Sequence, residues 1–302
     1  MTIPAIETRG LHKAYGKTLA LESLDIRVEA GEVFGFLGPN GAGKTTAVKL
    51  LLGLTRPTAG GGTVLGAPLG DLGTRARIGY LPELFRYQAW LTAREVLALH
   101  ASLAGLERSR RRSEIERVLA LVGLADRAGD RTSGFSKGMQ QRLGIATALL
   151  GDPALVILDE PTSALDPVGR DDVRAIIREA QARGSAVLLN SHLLGEVERL
   201  CNRVAIVHRG RVVAAGSLTD LLGETAVRLR VTDVPVDDGL FDAFGPVERD
   251  GDGWLIVRGV PDDRVPALVA AVVGAGGQVH AVDPGRRSLE DLFLDVVREP
   301  KS

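Results

Sequence analysis

Residues 33–46, "VFGFLGPNGAGKTT", put Gly38, Gly43, Lys44 and Thr45 in the spacing Gly-x-x-x-x-Gly-Lys-Thr. An apolar run precedes the loop and a segment with helical spacing follows it, the setting that phosphate binding demands. Glycine lets the backbone come close to an anion and aim successive N–H groups at it. The dipole of a helix beginning near Lys44 also favours negative charge there. The chemistry this predicts is capture of a nucleoside triphosphate. Lys44 would reach the β- and γ-phosphates and the Thr45 hydroxyl would ligate Mg²⁺, with Pro39, Asn40, Gly41, Ala42 and Thr46 completing the cradle.

A second group sits at the end of "LVILDE" (155–160). Asp159 closes a short apolar run and can hold the Mg²⁺ shell beside the loop. Glu160 follows and would polarise an attacking water. A third stretch, "GFSKGMQQRLG" (134–144), starts another helix. There Ser136 is a natural N-cap that leaves N–H groups free around Lys137 and Gly138. One chain thus carries two helix starts suited to phosphate.

The elements that must position these groups read as strands alternating with helices, an α/β pattern. "LESLDIRVEAGEVFGFLG" reads as two strands around the turn Ala30-Gly31-Glu32, and "KTTAVKLLLGL" (44–54) as a helix. "TAREVLALHASLAGL" (92–106) and "SEIERVLALVGL" (113–124) are helical, each with a capping-box spacing: Thr92 with Glu95, and Ser113 with Glu116. "ALVIL" (154–158) and "AVLLN" (186–190) suit buried parallel strands. After residue 222 the chain reads as a small α+β unit. Its strands are "AVRLRVT", "WLIVRG" and "QVHAV", and its helices "DGLFDAF", "DDRVPALVAAVVGA" and "SLEDLFLDVV".

Charge divides the chain at the same place. Residues 1–222 carry 28 basic and 23 acidic side chains, whereas 223–302 carry 9 and 15. Neither balance is basic enough to argue for nucleic acid, and none is expected as a partner. The basic run "ERSRRRSE" (107–114) reads as a solvated helix face. The one cysteine, Cys201, has no partner for an intrachain disulfide, which suits a reducing compartment. The start, "MTIPAIETRG", lacks the basic and apolar regions of a secretory signal. No apolar run reaches the roughly 18 residues of a membrane span. The chain is expected in the cytosol unless something else holds it at a membrane.

These motifs, in this order over residues 1 to about 222, resemble the ATPases of ABC transporters. Gly38–Thr45 is similar to their Walker A motif and Leu155–Glu160 to Walker B. Phe135-Ser136-Lys137-Gly138-Met139 stands in place of the signature motif, usually Leu-Ser-Gly-Gly-Gln. "SALD" (163–166), with Asp166, is similar to the D-loop, His192 in "LLNSHLL" to the switch histidine, and Tyr15 to the aromatic that stacks on adenine. Glu83 in "IGYLPE" stands where the family usually has the glutamine that contacts Mg²⁺. The resemblance implies the ABC type of P-loop NTPase fold, ATP and Mg²⁺ as cofactors, and a homodimer or pseudo-symmetric dimer. Each ATP would lie between one copy's Walker motifs and the other's signature loop. It also implies a separate polytopic membrane permease, which would hold the chain on the cytoplasmic face and dock near Glu83 and a helical segment at 84–104.

Lys137, Met139 and Glu83 depart from the usual pattern and are familiar in a branch of drug-resistance and sodium-extrusion exporters. That branch also carries an extension similar to 223–302. The predicted organisation is an ATPase domain over 1–222 and an accessory α+β domain over 223–302. Two other readings stand beside the exporter ATPase: a soluble ABC machine acting on ribosome or DNA, and a small-molecule kinase. Translation-factor relatives carry two cassettes where this chain has one. DNA-repair relatives need a coiled coil, for which the about 110 residues between Thr45 and Leu155 leave no room. A kinase leaves "FSKGMQQR" and "SALD" without a role.

Overall fold

The computed structural model describes residues 2–163, 165–223, 226–234, 239–250, 253–283 and 288–298. The polypeptide divides into two compact parts, Met1–Ser217 and Leu218–Ser302.

The first part runs β1 (Ile6–Tyr15), β2 (Thr18–Leu24), β3 (Arg27–Val28), β4 (Val33–Leu37), α1 (Lys44–Leu51), β5 (Ala59–Val64), β6 (Ala67–Pro68), α2 (Leu72–Arg75) and β7 (Ile78–Leu81). It continues with α3 (Ala93–Leu103), α4 (Arg108–Leu121), α5 (Lys137–Ala148), β8 (Leu155–Asp159), α6 (Pro167–Ala182), β9 (Ala186–Asn190), α7 (Leu194–Leu200), β10 (Arg203–His208) and β11 (Arg211–Ser217). Its strands form one sheet in the order β6-β5-β1-β2-β11-β10-β4-β9-β8-β7, with β3 paired to β1. β10, β4, β9, β8 and β7 are mutually parallel. β4, β8 and β9 are buried along their whole length, which is why they read as unbroken apolar runs. Parallel strands bring their carboxyl ends to one edge of a sheet, where open α/β sheets bind ligands. Here those ends lead into the Gly38 loop, Asp159-Glu160 and Asn190-Ser191-His192.

Three local expectations change. "LESLDIRVEAGEVFGFLG" spans parts of three strands, because the short β3 pairs separately with β1. The helix expected to begin at Ser113 begins at Arg108, since the arginines preceding Ser113 are themselves good helix formers. Ser113 then lies inside the helix and donates its hydroxyl to the Arg110 carbonyl, while Glu116 pairs with Arg112. The segment 84–104 is helical only over α3. That helix does carry the reciprocal cap between Thr92 and Glu95. α4 is tied to the far end of α5 by Glu114, which accepts from Arg117 and from the Gly151 N–H.

The second part contains α8 (Leu218–Leu222), β12 (Ala226–Thr232), β13 (Val247–Arg249), β14 (Trp254–Arg258), α9 (Val265–Gly274), β15 (Gln278–Asp283) and α10 (Leu289–Arg298). Its four strands form an antiparallel sheet, β13-β14-β12-β15. Alternate residues Val227, Leu229 and Val231 of β12 share a core with Leu255, Val257, Leu268 and Val272. "DGLFDAF" is not a helix: Leu240–Phe244 form turns, and Asp238 lies outside the described residues. The strand β13 carries no alternation long enough to have been read from sequence. Among the described residues no helix is long and apolar enough to cross a membrane.

Candidate functional site

The loop from Gly38 to Gly43 is built by close backbone contacts. A Cβ on Gly38 would lie 2.2 Å from the Val207 carbonyl oxygen, and one on Gly43 2.5 Å from that of Ala20. Gly43, with φ +106°, is the residue before α1 and supplies no side chain to cap it. Gly210 donates to the Ala42 carbonyl and pins the loop from the β10–β11 turn. The N–H groups of Gly43, Lys44, Thr45 and Thr46 have no acceptor among the described residues. Four parallel donors at a helix start form an anion cradle. Lys44 Nζ folds back on the carbonyls of Gly38 and Pro39, at 2.5 and 3.2 Å.

Burial lowers the Lys44 ammonium below the usual lysine value, against the pull of Glu160, Asp159 and Glu83. Asp159, at the end of β8, is 3% exposed. Burial raises its carboxyl, reinforced by the charges of Glu83 and Glu160 and opposed by a bond from Asn190 Nδ2 at 2.5 Å. Burial, followed by Asp159 and Glu83, also pushes the nearby Tyr80 phenol up to about 12, so it stays protonated. Three carboxylates therefore act on one ammonium, an excess of negative charge that a divalent cation would correct. Among the described residues no three His, Cys, Asp or Glu side chains make a ready-made metal cluster.

Glu160 has φ +54°, a left-handed conformation costly for a residue with a Cβ. It is held there by its N–H, which donates to the Asn190 carbonyl at 2.8 Å. Both carboxylate oxygens meet His192: the backbone N–H at 2.9 Å and Nδ1 at 2.7 Å. The His192 side chain is otherwise exposed.

At the other helix start, Ser136 Oγ accepts from the Met139 N–H at 3.2 Å. The N–H groups of Lys137 and Gly138 have no acceptor among the described residues, and Lys137 is exposed. No hydrogen bond or ion pair among the described residues joins Ser136–Gly138 to Gly38–Thr46. α5 does reach the first site from within: buried Gln141 donates to the Glu160 carbonyl at 3.4 Å. Gly138 lies under Leu165, whose Cδ2 would be 3.2 Å from an added Cβ. Asp166 caps α6 by accepting from the Gly169 N–H, and Ala164 lies outside the described residues. Tyr15 ends β1 with its ring half exposed and Lys13 Nζ 4.8 Å above one face. Glu83 is exposed just beyond β7.

The structure thus gathers Lys44, Asp159, Glu160 and His192 at one sheet edge and leaves Ser136–Gly138 bonded to none of them. Asn190 and Gln141, which tie the acidic pair to β9 and α5, escaped the sequence reading. Their only signal was position, one at the end of an apolar strand and one inside the signature helix.

A parallel sheet with a phosphate loop after one strand and paired carboxylates after another defines a P-loop nucleoside triphosphatase. The ABC transporter family pattern matches residues 21–163. An uncharacterized ABC transporter ATP-binding protein of Synechocystis sp. is 41% identical over 285 residues, covering 94% of this chain and 80% of that one. The Nod factor export ATP-binding protein I of Cupriavidus pinatubonensis is 35% identical over 307 residues, 97% of this chain and 92% of that one. A solved ATP binding subunit of an ABC transporter superposes with a TM-score of 0.67 at 34% identity, covering 72% of this chain and 91% of that chain. The chain belongs to the ABC transporter ATP-binding protein family: it binds ATP and is an ATPase subunit of a transporter.

Proposed function

We propose that this chain is the motor of an exporter, pairing head to tail with a second copy around two ATP molecules and driving a separate polytopic permease. The observation that carries the reading is the pair of helix starts, which among the described residues both have unpaired N–H groups and are not bonded to each other within one chain. A signature start that does not serve its own cradle is available to the cradle of a second copy. The strong likeness along nearly the full chain to a Nod factor export subunit supports the direction.

In this reading residues 1–222 are the ATPase domain and 223–302 an accessory α+β domain. Tyr15 stacks on adenine, and residues 38–46 hold the phosphates. Thr45, Asp159 and Glu83 would hold Mg²⁺, which when bound supplies positive charge beside the β- and γ-phosphate oxygens. Lys44 exchanges its loop carbonyls for phosphate oxygens, a swap that relieves a half-buried cation. Glu160 accepts a proton from the attacking water, and its strained backbone fixes the carboxylate for in-line attack. In its imidazolium form His192 donates Nδ1–H to Glu160 and Nε2–H to the γ-phosphate. Ser136, Lys137 and Gly138 of the second copy add donors to the same charge. Asp166 lies between the copies as a helix cap.

Replacing Glu160 with Gln tests this directly. ATP turnover is expected to fall about 10²–10⁴-fold, while size-exclusion light scattering with ATP and Mg²⁺ detects a dimer. A variant that stays monomeric at saturating ATP and Mg²⁺ removes the sandwich.

A cavity of about 710 Å³ lined by Leu72, Tyr80, Phe85, Tyr87, Leu99 and Leu103 supports permease docking near Glu83. Exposed Leu84 and Trp90 belong to the same segment. That attachment would hold the chain on the cytoplasmic face of the membrane. Substituting Leu99 and Leu103 together by Ser should uncouple transport in reconstituted vesicles while leaving basal ATPase intact; equal loss of both activities contradicts the assignment.

A further inference from the structure

Asn190 is the last residue of β9 and lies in register with two neighbours at once, Phe36 of β4 and Asp159 of β8. It therefore stands between the strand that feeds the phosphate loop and the strand that ends in the acidic pair. It is 2% exposed. Its amide nitrogen donates to Asp159 Oδ1 at 2.5 Å, and its main-chain carbonyl accepts the Glu160 N–H at 2.8 Å. A carboxylate cannot donate to an amide oxygen, so the bond to Asp159 fixes which way the amide faces.

That orientation leaves Asn190 Oδ1 buried with no hydrogen-bond partner among the described residues. A buried acceptor without a donor is costly, and such atoms concentrate where a water, ion or ligand completes the group. Here the surroundings are Asp159, Glu160 and the half-buried Lys44, with an excess of negative charge. The chemistry that meets a lone acceptor and excess carboxylate together is a hydrated divalent cation, whose waters donate and whose charge compensates.

We propose that Asn190 is a positioning residue for the metal. Its amide holds the Asp159 carboxylate, its carbonyl holds the strained turn at Glu160, and its Oδ1 accepts from a water of the bound cation. The proposal rests on the reading of Asp159 as a metal-holding residue. A valine or leucine at this strand position could not donate to Asp159 and would leave its carboxylate to orient itself. Groups that orient a metal's ligands typically change affinity 10–100-fold when removed.

The test is a Mn²⁺ titration followed by electron paramagnetic resonance, with a non-hydrolysable ATP analogue bound to the full-length protein. Asn190→Leu and the smaller Asn190→Ser are compared with the unaltered chain and with Asp159→Asn. The expected result is a half-saturating Mn²⁺ concentration about 10-fold higher or more for Asn190→Leu, and a smaller rise for Asn190→Ser. Affinity for the analogue in EDTA should stay within about twofold, since base and phosphate contacts are untouched. Should Asn190→Leu fail to fold, the Ser variant decides by the same two readings. Unchanged Mn²⁺ affinity in the folded variants overturns the proposal, as does a parallel loss of analogue binding in EDTA, which marks a merely structural role. If Asp159→Asn also binds Mn²⁺ as before, the reading of Asp159 beneath it fails as well; if only Asp159→Asn weakens binding, the failure is confined to Asn190.

Discussion

The two helix starts use the same physics to different degrees. At α1 the residue before the helix is glycine, no side chain caps it, and four N–H groups are unpaired among the described residues. Its lysine is half-buried and turned onto its own loop. At α5 a serine caps one donor, the three N–H groups of Ser136, Lys137 and Gly138 are unpaired among the described residues, and the lysine is exposed. The first is a complete cradle; the second is a shallow one with a charge reaching outward. A site finished within one chain needs depth and pre-placed charge, whereas half of a shared site needs exposure and a defined helix end. The glycine φ values and the Ser136 cap are the local means to those two ends.

The largest effect that sharpens this contrast should come from Lys44→Ala, which removes the charge proposed to face the transferred phosphoryl. ATP turnover should fall at least about 10²–10³-fold by steady-state phosphate release, with the fold unchanged by circular dichroism. Tyr15→Ala removes the proposed stacking face and should weaken ATP by about 1–3 kcal/mol, read by calorimetry, with little effect on turnover at saturation. Ser136→Ala exposes the α5 start and should cost about 1 kcal/mol in thermal unfolding, with ATP-driven dimerisation weakened more than ATP binding. Equal losses in both would erase the distinction between the two starts. Lys137→Ala should shift the dimer equilibrium by no more than about fivefold, less at high salt, because the side chain is exposed. Thr92→Ala serves as a control away from both starts: it breaks the α3 cap, costs about 1 kcal/mol, and should leave ATP turnover as it was.

Much of this site was legible because its signals are local. The Gly38–Thr45 spacing, the apolar strand before Asp159 and the Ser136 cap each need only a few consecutive residues. Asn190 was illegible because its partner Asp159 is 31 positions away and meets it only through sheet register. Gln141 was hidden likewise: its bond to Glu160 depends on how α5 packs under β8, which no local pattern encodes. Ser113 and Glu116 show the opposite failure. Their spacing fits a capping box, but the preceding arginines propagate the helix past it, and continuation beats capping inside a run of strong helix formers. "DGLFDAF" failed because its described part closes into turns, with the Asp242 N–H on the Gly239 carbonyl and the Phe244 N–H on that of Phe241, instead of a continuous helical ladder.

The central claim is that the α5 start of one copy completes the α1 cradle of another. Mixing two defective variants tests it most directly: Lys44→Ala, which keeps its signature start, and Ser136→Arg, which keeps its cradle. Each alone should be nearly inactive, and the mixture should regain ATPase activity because the mixed dimer rebuilds one intact site from two chains. No recovery in a mixture shown by light scattering to contain mixed dimers, or full activity in Ser136→Arg alone, would contradict it.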